Sequence, residues 1–205
     1  MGSPNAVEFD RMRTNNEEEF CYYGRSNFQQ LYDTAMAMRT FGCTKFFLYG
    51  SLGVGKSHLL GALACLLARK NKKVAFLPDC RALVKAPLYG LKFALKFAFH
   101  GNQAEQELIS EIKTLEDVYG FCQSISGKHQ IYFLIDQCNA LDYMPQSTDR
   151  VSESSKEILR TLLDKITEHH FKISSATANY QHGTADRLRI SSEMVMLVNH
   201  GLLEV

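Results

Sequence analysis

The run Gly50-Ser51-Leu52-Gly53-Val54-Gly55-Lys56-Ser57 carries three glycines and closes on Lys-Ser. Glycine lets a backbone curl without Cβ clashes, so successive N–H groups can converge on an anion. A helix starting at the end of such a loop adds the positive end of its dipole. The pattern is G-x-x-x-x-G-K-S, a Walker A loop, in which Lys56 reaches the β- and γ-phosphates and the Ser57 hydroxyl coordinates Mg²⁺. His58 follows directly and is counted with the nucleotide-binding residues. The chemistry this spacing serves is polyphosphate binding.

A second acidic element fits the first. Residues 131–135 (IYFLI) form an apolar run that delivers Asp136 at its end, in the manner of a Walker B strand. Beside a phosphate loop, such a carboxylate holds Mg²⁺ opposite the loop hydroxyl, so Ser57 and Asp136 are the expected metal ligands. Many ATPases of this class place Glu next, as a general base; here the residue is Gln137. An amide cannot accept the proton, but it can orient an attacking water. Asn139 and Asp142 are nearby polar substitutes. A γ-phosphate sensor is expected among Ser175, Thr177 and Asn179, with Asn179 grouped with Lys56, Asp136 and Gln137 as catalytic. Guanine specificity needs Asn-Lys-x-Asp after a late strand, and the Asn71-Lys72 pair lacks the Asp. ATP is therefore the expected nucleotide.

Positioning these groups requires a sheet. Apolar runs predict strands at residues 45–49, 73–77, 131–135 and 171–176, with a further one at 194–198 that also reads as helix; strand is preferred. Helical spacing covers 27–38, 57–69, 82–99 with an interruption at Pro87, 104–124 and 154–168. Alternating strands and helices imply an α/β fold: a three-layer αβα P-loop NTPase with a mostly parallel five-stranded sheet. It belongs to the additional-strand class, with 171–176 inserted beside the phosphate-loop strand and no lid domain. Ligands in such sheets bind at the carboxyl ends of the strands, where both motifs fall.

Composition agrees with one such domain. The 205 residues are 45% hydrophobic and 22% charged, with 23 basic against 22 acidic residues. A chain of this length buries enough surface to hold a core without disulfides or metals. A formal charge of +1 gives no global drive toward nucleic acid or anionic membrane. No apolar run approaches a membrane span, and the polar start has no secretory signal; an intracellular setting, cytoplasm or nucleus, is expected. Six cysteines lie scattered without a C-x-x-C pair, which favours reduced thiols over zinc, and His169-His170 has no cysteine pair nearby. Residues 1–20 read as a loose polar lead-in and 21–205 as the core, cut short before any lid or effector module.

Weaker features are of two kinds. Tyr23-Gly24-Arg25 is similar to the Gly-Arg element that lines the adenine pocket in several such ATPases, and Arg25 joins the nucleotide-binding set. Arg187 and Arg189 occupy the place of an arginine finger in oligomeric ATPases, though exposed, solubilising arginines are the commoner reading there. Phe93, Phe97 and Phe99 with Leu91 and Leu95 suit core burial better than a partner-binding face. Lys92 and Lys96 read as a solvated edge.

Residues 49–60 (YGSLGVGKSHLL), 77–81 (LPDCR) and 134–141 (LIDQCNAL) together resemble the NTPase domain of Crinkler-type effectors of fungi and oomycetes. The blocks occur in order, and the resemblance runs from about Gly24 to the C-terminus. It implies a STAND/AAA-like ATP-binding domain in which Gln after the metal carboxylate is expected. In that family the domain is often coupled to a nuclease-like module and acts inside a host cell, frequently in the nucleus. Nucleic acid is a partner on this ground alone; a homo-oligomer is a further possibility, and no membrane contact is expected. No Leu-Phe-Leu-Ala-Lys translocation motif stands near the start. Three functional readings follow: an Mg²⁺-dependent ATPase, a nucleotide-dependent switch or scaffold with little turnover, and a helicase-loader-like ATPase, against which LPDCR argues.

Overall fold

The computed structural model of the chain describes residues 11–14, 17–20, 26–38, 44–50, 53–142, 151–176 and 194–197. Its elements, in chain order, begin with a short antiparallel pair, β1 (Arg11–Thr14) and β2 (Glu17–Phe20). Helix α1 (Ser26–Ala37) then leads to β3 (Lys45–Tyr49), the phosphate loop and α2 (Lys56–Arg69). Next come β4 (Lys73–Leu77), α3 (Cys80–Lys85), α4 (Pro87–Ala98), α5 (Gln103–Glu111) and α6 (Leu115–Ile125). Strand β5 (Ile131–Ile135) runs into a 3₁₀ turn (Cys138–Leu141), followed by α7 (Glu153–Ile166), β6 (Phe171–Ser175) and β7 (Met194–Leu197).

Five strands form one parallel sheet in the order β4-β5-β6-β3-β7. Strand β6 therefore lies between the strand that ends at Asp136 and the strand that enters the phosphate loop, as expected of an additional-strand fold. Residues 194–197, read as strand or helix from sequence, pair with β3 as a strand.

The layers follow from side-chain alternation along β5, every residue of which is buried. Ile131, Phe133 and Ile135 enter a core with α3 to α7, whereas Tyr132 and Leu134 enter a second core with α1 and α2. A strand covered on both faces must be apolar throughout, which is why IYFLI shows no polar alternation. In α2, Leu59, Leu60, Leu63, Ala64 and Leu67 are buried at helical spacing, one stripe facing the second core. Its end is closed by Asn71 at φ 57°, with backbone N–H bonds from Asn71 to Ala68 and from Lys72 to Leu67.

Three expectations need correction. The stretch 104–124, read as one helical pattern, is two helices. Thr114 caps α6 by accepting from the Asp117 N–H while the Asp117 carboxylate accepts from the Thr114 N–H, a reciprocal pair that starts a new helix. The polar lead-in read as loose contains the antiparallel β1–β2 pair, with Arg13 and Glu18 in register. Phe93 and Phe97 lie on the surface while Leu91, Leu95 and Phe99 are buried. A helix repeats every 3.6 residues, so five apolar residues in a row of nine cannot share one face.

His170, at the foot of the sheet, is fully buried and has a structural task. Its Nδ1 accepts from the Ile131 N–H at 3.4 Å, so the proton sits on Nε2, 3.1 Å from the Cys122 carbonyl. Burial chiefly holds the imidazole below its ordinary pKa, with His169 acting in the same sense and the Cys122 bond opposing. Above the ordinary value near 6.5 the ring is neutral in both folded and unfolded chains. As pH falls below it, the unfolded chain takes up a proton that the folded chain resists, so stability declines toward the depressed folded pKa. Urea titrations at pH 7.5 and 5.5 should show a smaller pH-dependent loss for His170→Gln than for the wild type; equal losses would assign the titration elsewhere.

Candidate functional site

The phosphate loop leaves β3 at Gly50 and enters α2 through Gly55. Gly53 and Gly55 adopt φ of 79° and 82°, where an L side chain is strained, so the loop's turn depends on glycine at both positions. Gly55 is also the N-cap of α2 and offers no side-chain cap, so the first amides of the helix remain directed at whatever occupies the loop. Val54 is buried and anchors the loop to the second core. Ser57 and His58 are exposed at the first turn.

Lys56 is only 7% exposed, and its ammonium donates to the Gly50 carbonyl at 2.8 Å. Burial pulls its pKa down from the ordinary lysine value, while the negative charge of Asp136 acts in the opposite sense. One strand, β6, separates the strand that ends at Asp136 from the strand that enters the loop, so the two sequence motifs share one site and their charges are coupled.

Asp136 is 3% exposed. Its Oδ1 accepts from the Gln137 backbone N–H at 2.8 Å and from the Ser175 hydroxyl, at the end of the inserted strand β6. The backbone of Asp136 is held as well. Its N–H donates to the Leu77 carbonyl at 2.9 Å, and its carbonyl accepts from the Cys80 N–H at 3.3 Å. Leu77 and Cys80 belong to the LPDCR block, and Asp79 within it caps α3 by accepting from the Arg81 N–H. That block thus forms a bracket around the carboxylate strand, a role that sequence reading did not assign; the signal was the block's resemblance to a family motif. The Cys80 thiol is pushed up to about 12, by burial first and then by Asp136 and Asp79, and is chemically inert.

Gln137 sits at φ 55°, ψ 39°, the left-handed region that non-glycine residues seldom occupy. Its backbone caps the 3₁₀ turn, whose Leu141 is buried in the first core, and Arg160 of α7 donates to the Leu141 carbonyl at 2.8 Å. The turn is therefore fastened at both ends, which fixes the Gln137 backbone. Its side-chain Oε1 is buried and has no hydrogen-bond partner. A buried amide oxygen without a donor marks a place where a water or ligand group belongs.

Of the expected sensor residues, the structure brings Ser175 to Asp136; Thr177 and Asn179 lie outside the described residues. So do Arg25, Ser51, Leu52, Arg187 and Arg189. Among the described residues, no group of three or more His, Cys, Asp or Glu side chains could hold a metal by itself. Mg²⁺ carried with a nucleotide needs few protein ligands, since phosphates and waters supply the remainder. The hard oxygens of Ser57 and Asp136 fit that requirement.

A parallel sheet with helices on both faces, an inserted strand, and a glycine loop joining the strand beside it to a helix define the P-loop NTPase fold. No family model and no curated protein matches the sequence. Among solved structures it is similar to C. elegans PCH-2, with a TM-score of 0.45 and 12% identity, covering 86% of this chain and 42% of that one. It is also similar to the Aeropyrum pernix Orc1 protein in complex with DNA, with a TM-score of 0.42 and 13% identity, covering 83% of this chain and 44% of the other. The chain spans less than half the length of either.

Proposed function

We propose that the chain is an Mg²⁺-dependent ATP-binding protein that hydrolyses ATP slowly. The reading rests on one observation above all: a buried lysine on a glycine loop and a buried, bracketed carboxylate, electrostatically coupled at the carboxyl ends of parallel strands. The loop amides and Lys56 would bind the phosphates, with the ammonium exchanging the Gly50 carbonyl for phosphate oxygens. Ser57 and Asp136 would hold the metal, which supplies neutralisation of phosphate charge. Ser175 fixes the Asp136 carboxylate through its hydroxyl. Gln137, with its unpartnered Oε1, would orient the attacking water.

Within this reading the chain is similar to the NTPase domain of Crinkler-type effectors, in which Gln after the metal carboxylate is expected. Nucleic acid as a partner follows only from that similarity. The second reading is a switch that binds ATP and turns it over hardly at all, and the amide at position 137 favours it, since an amide accepts no proton.

Single-turnover hydrolysis by wild type, Gln137→Glu and Gln137→Ala separates the two. A general base contributes roughly 10²–10⁴-fold, so Gln137→Glu is expected to hydrolyse at least about tenfold faster than wild type, and Gln137→Ala more slowly. ATP-induced thermal stabilisation with no turnover in any of the three would establish the switch. Absence of both binding and turnover would remove the nucleotide reading altogether.

A further inference from the structure

We infer that the surface formed by α4 and α5 is a self-association face, on which a second copy of this chain packs α4 of each protomer against α5 of the other. The inference is independent of the nucleotide reading. Three large aromatic residues on α4 stand in solvent: Tyr89 is 74% exposed, Phe93 65% and Phe97 46%. The Tyr89 and Phe93 rings stack at 6.4 Å, and Phe97 stacks on His100 at 5.9 Å. The two ring pairs follow one another along ~16 Å of chain at 1.5 Å per residue. The buried side of α4 is supplied by Leu91, Ala94, Leu95 and Ala98, and the three rings lie outside that set. On the neighbouring α5, Leu108 is 52% exposed.

Charge decides what covers these rings. From Cys80 to His100 the chain has Arg81, Lys85, Lys92 and Lys96 and no carboxylate. Helix α5 has Glu105, Glu107 and Glu111 and no lysine or arginine. The two helices are fastened side by side: the Lys92 ammonium donates to the Ser110 and Ile112 carbonyls, and the Gln106 amide donates to the Lys96 carbonyl. Glu107 and Glu111, one turn apart, are both exposed. The surface is thus basic and aromatic on one side, acidic and aliphatic on the other.

A two-fold axis lying between the helices brings each side onto its opposite in the second copy, the self-complementarity an isologous interface requires. Aromatic rings of α4 then meet Leu108 of the other copy, and Lys96 faces Glu107 and Glu111. A uniformly acidic partner would leave the α5 carboxylates facing like charge. Two helices of this length present roughly 400 Å² per copy, about half the ~800 Å² per partner of tight interfaces. The dimer should therefore be weak and form only at high protein concentration.

Sedimentation velocity from about 5 to 500 µM tests this. The weight-average mass should rise from 23.2 kDa toward twice that value. A Tyr89→Ser/Phe93→Ser variant should remain monomeric throughout, with an unfolding temperature no lower than that of the wild type. Lys96→Glu and Glu107→Lys/Glu111→Lys should each be monomeric alone and should associate when mixed, because the mixture restores the opposite charges across both halves of the interface. A wild type that stays monomeric at 500 µM overturns the inference. So does a dimer that survives the serine substitutions, or charge variants that fail to associate on mixing.

Discussion

Replacing Lys56 by methionine is expected to lower ATP affinity about 100-fold, or about 2.7 kcal/mol, with the unfolding temperature of the free protein nearly unchanged. Two opposed effects make the second half of that statement. The ammonium is buried, and burial disfavours its charged form, as its lowered pKa records. Against this stand its bond to the Gly50 carbonyl and the attraction of Asp136. Methionine keeps the unbranched volume while removing both the desolvation cost and the compensating contacts. With ATP present the balance is different, because two phosphate groups then lose a charge-assisted donor worth about 1.5–3 kcal/mol. Isothermal titration of both proteins with ATP and Mg²⁺ measures the difference. Undiminished affinity in a folded Lys56→Met protein would mean that the glycine loop does not hold the phosphates.

Asp136→Ala should do two separable things. It should abolish the gain in nucleotide affinity that Mg²⁺ brings over EDTA, because the proposed metal ligand on β5 is gone. It should also cost about 2–4 kcal/mol of stability, since a buried donor left without an acceptor costs about 1–3 kcal/mol. Two donors are orphaned: the Ser175 hydroxyl, which is fully buried, and the Gln137 N–H. Lys56 also loses its nearby negative charge. Urea unfolding checks the stability arm, and a Ser175→Ala/Asp136→Ala double variant should recover part of the loss, because donor and acceptor then leave together. A single-variant loss below about 0.5 kcal/mol would contradict the buried cluster described above.

The sequence carried a good deal of this in local form. Apolar runs located β3, β4 and β5 to the residue, because the inner positions of a strand covered on both faces are all apolar. The glycine loop, Lys56, Ser57 and the strand ending at Asp136 were legible because each signal is contiguous. Pro87 marked the break between α3 and α4, where Ala86 ends one helix and begins the next. The break at Thr114 was harder to see, since the apolar pattern of α5 runs on into α6 and only the reciprocal Thr114–Asp117 cap separates them.

Other features depended on contacts between distant residues. Which face of α4 meets the core is set by what packs against it, so Phe93 and Phe97 could not be told from Phe99 by composition. Ser175 was read from sequence only as one of three candidate γ-phosphate sensors, and nothing along the chain pointed to its contact with Asp136. The parallel pairing of β5 with β6 brings Ser175, 39 residues away, onto the carboxylate. The bracket from Leu77 and Cys80 has the same origin, being made of backbone groups whose partners are set by strand pairing and carry no residue signature.

Sequence alone thus determined the alternation of strands and helices and the places of the glycine loop and of the strand that ends at Asp136, because periodicity and contiguous motifs are written along the chain. Only the tertiary structure decided that Asp136 is clamped by Ser175, Leu77 and Cys80, that Gln137 holds a left-handed backbone with an unpartnered amide oxygen, and that α4 turns its aromatic residues outward. Those properties arise from burial and hydrogen bonding between segments far apart in sequence, which exist only once the sheet has assembled.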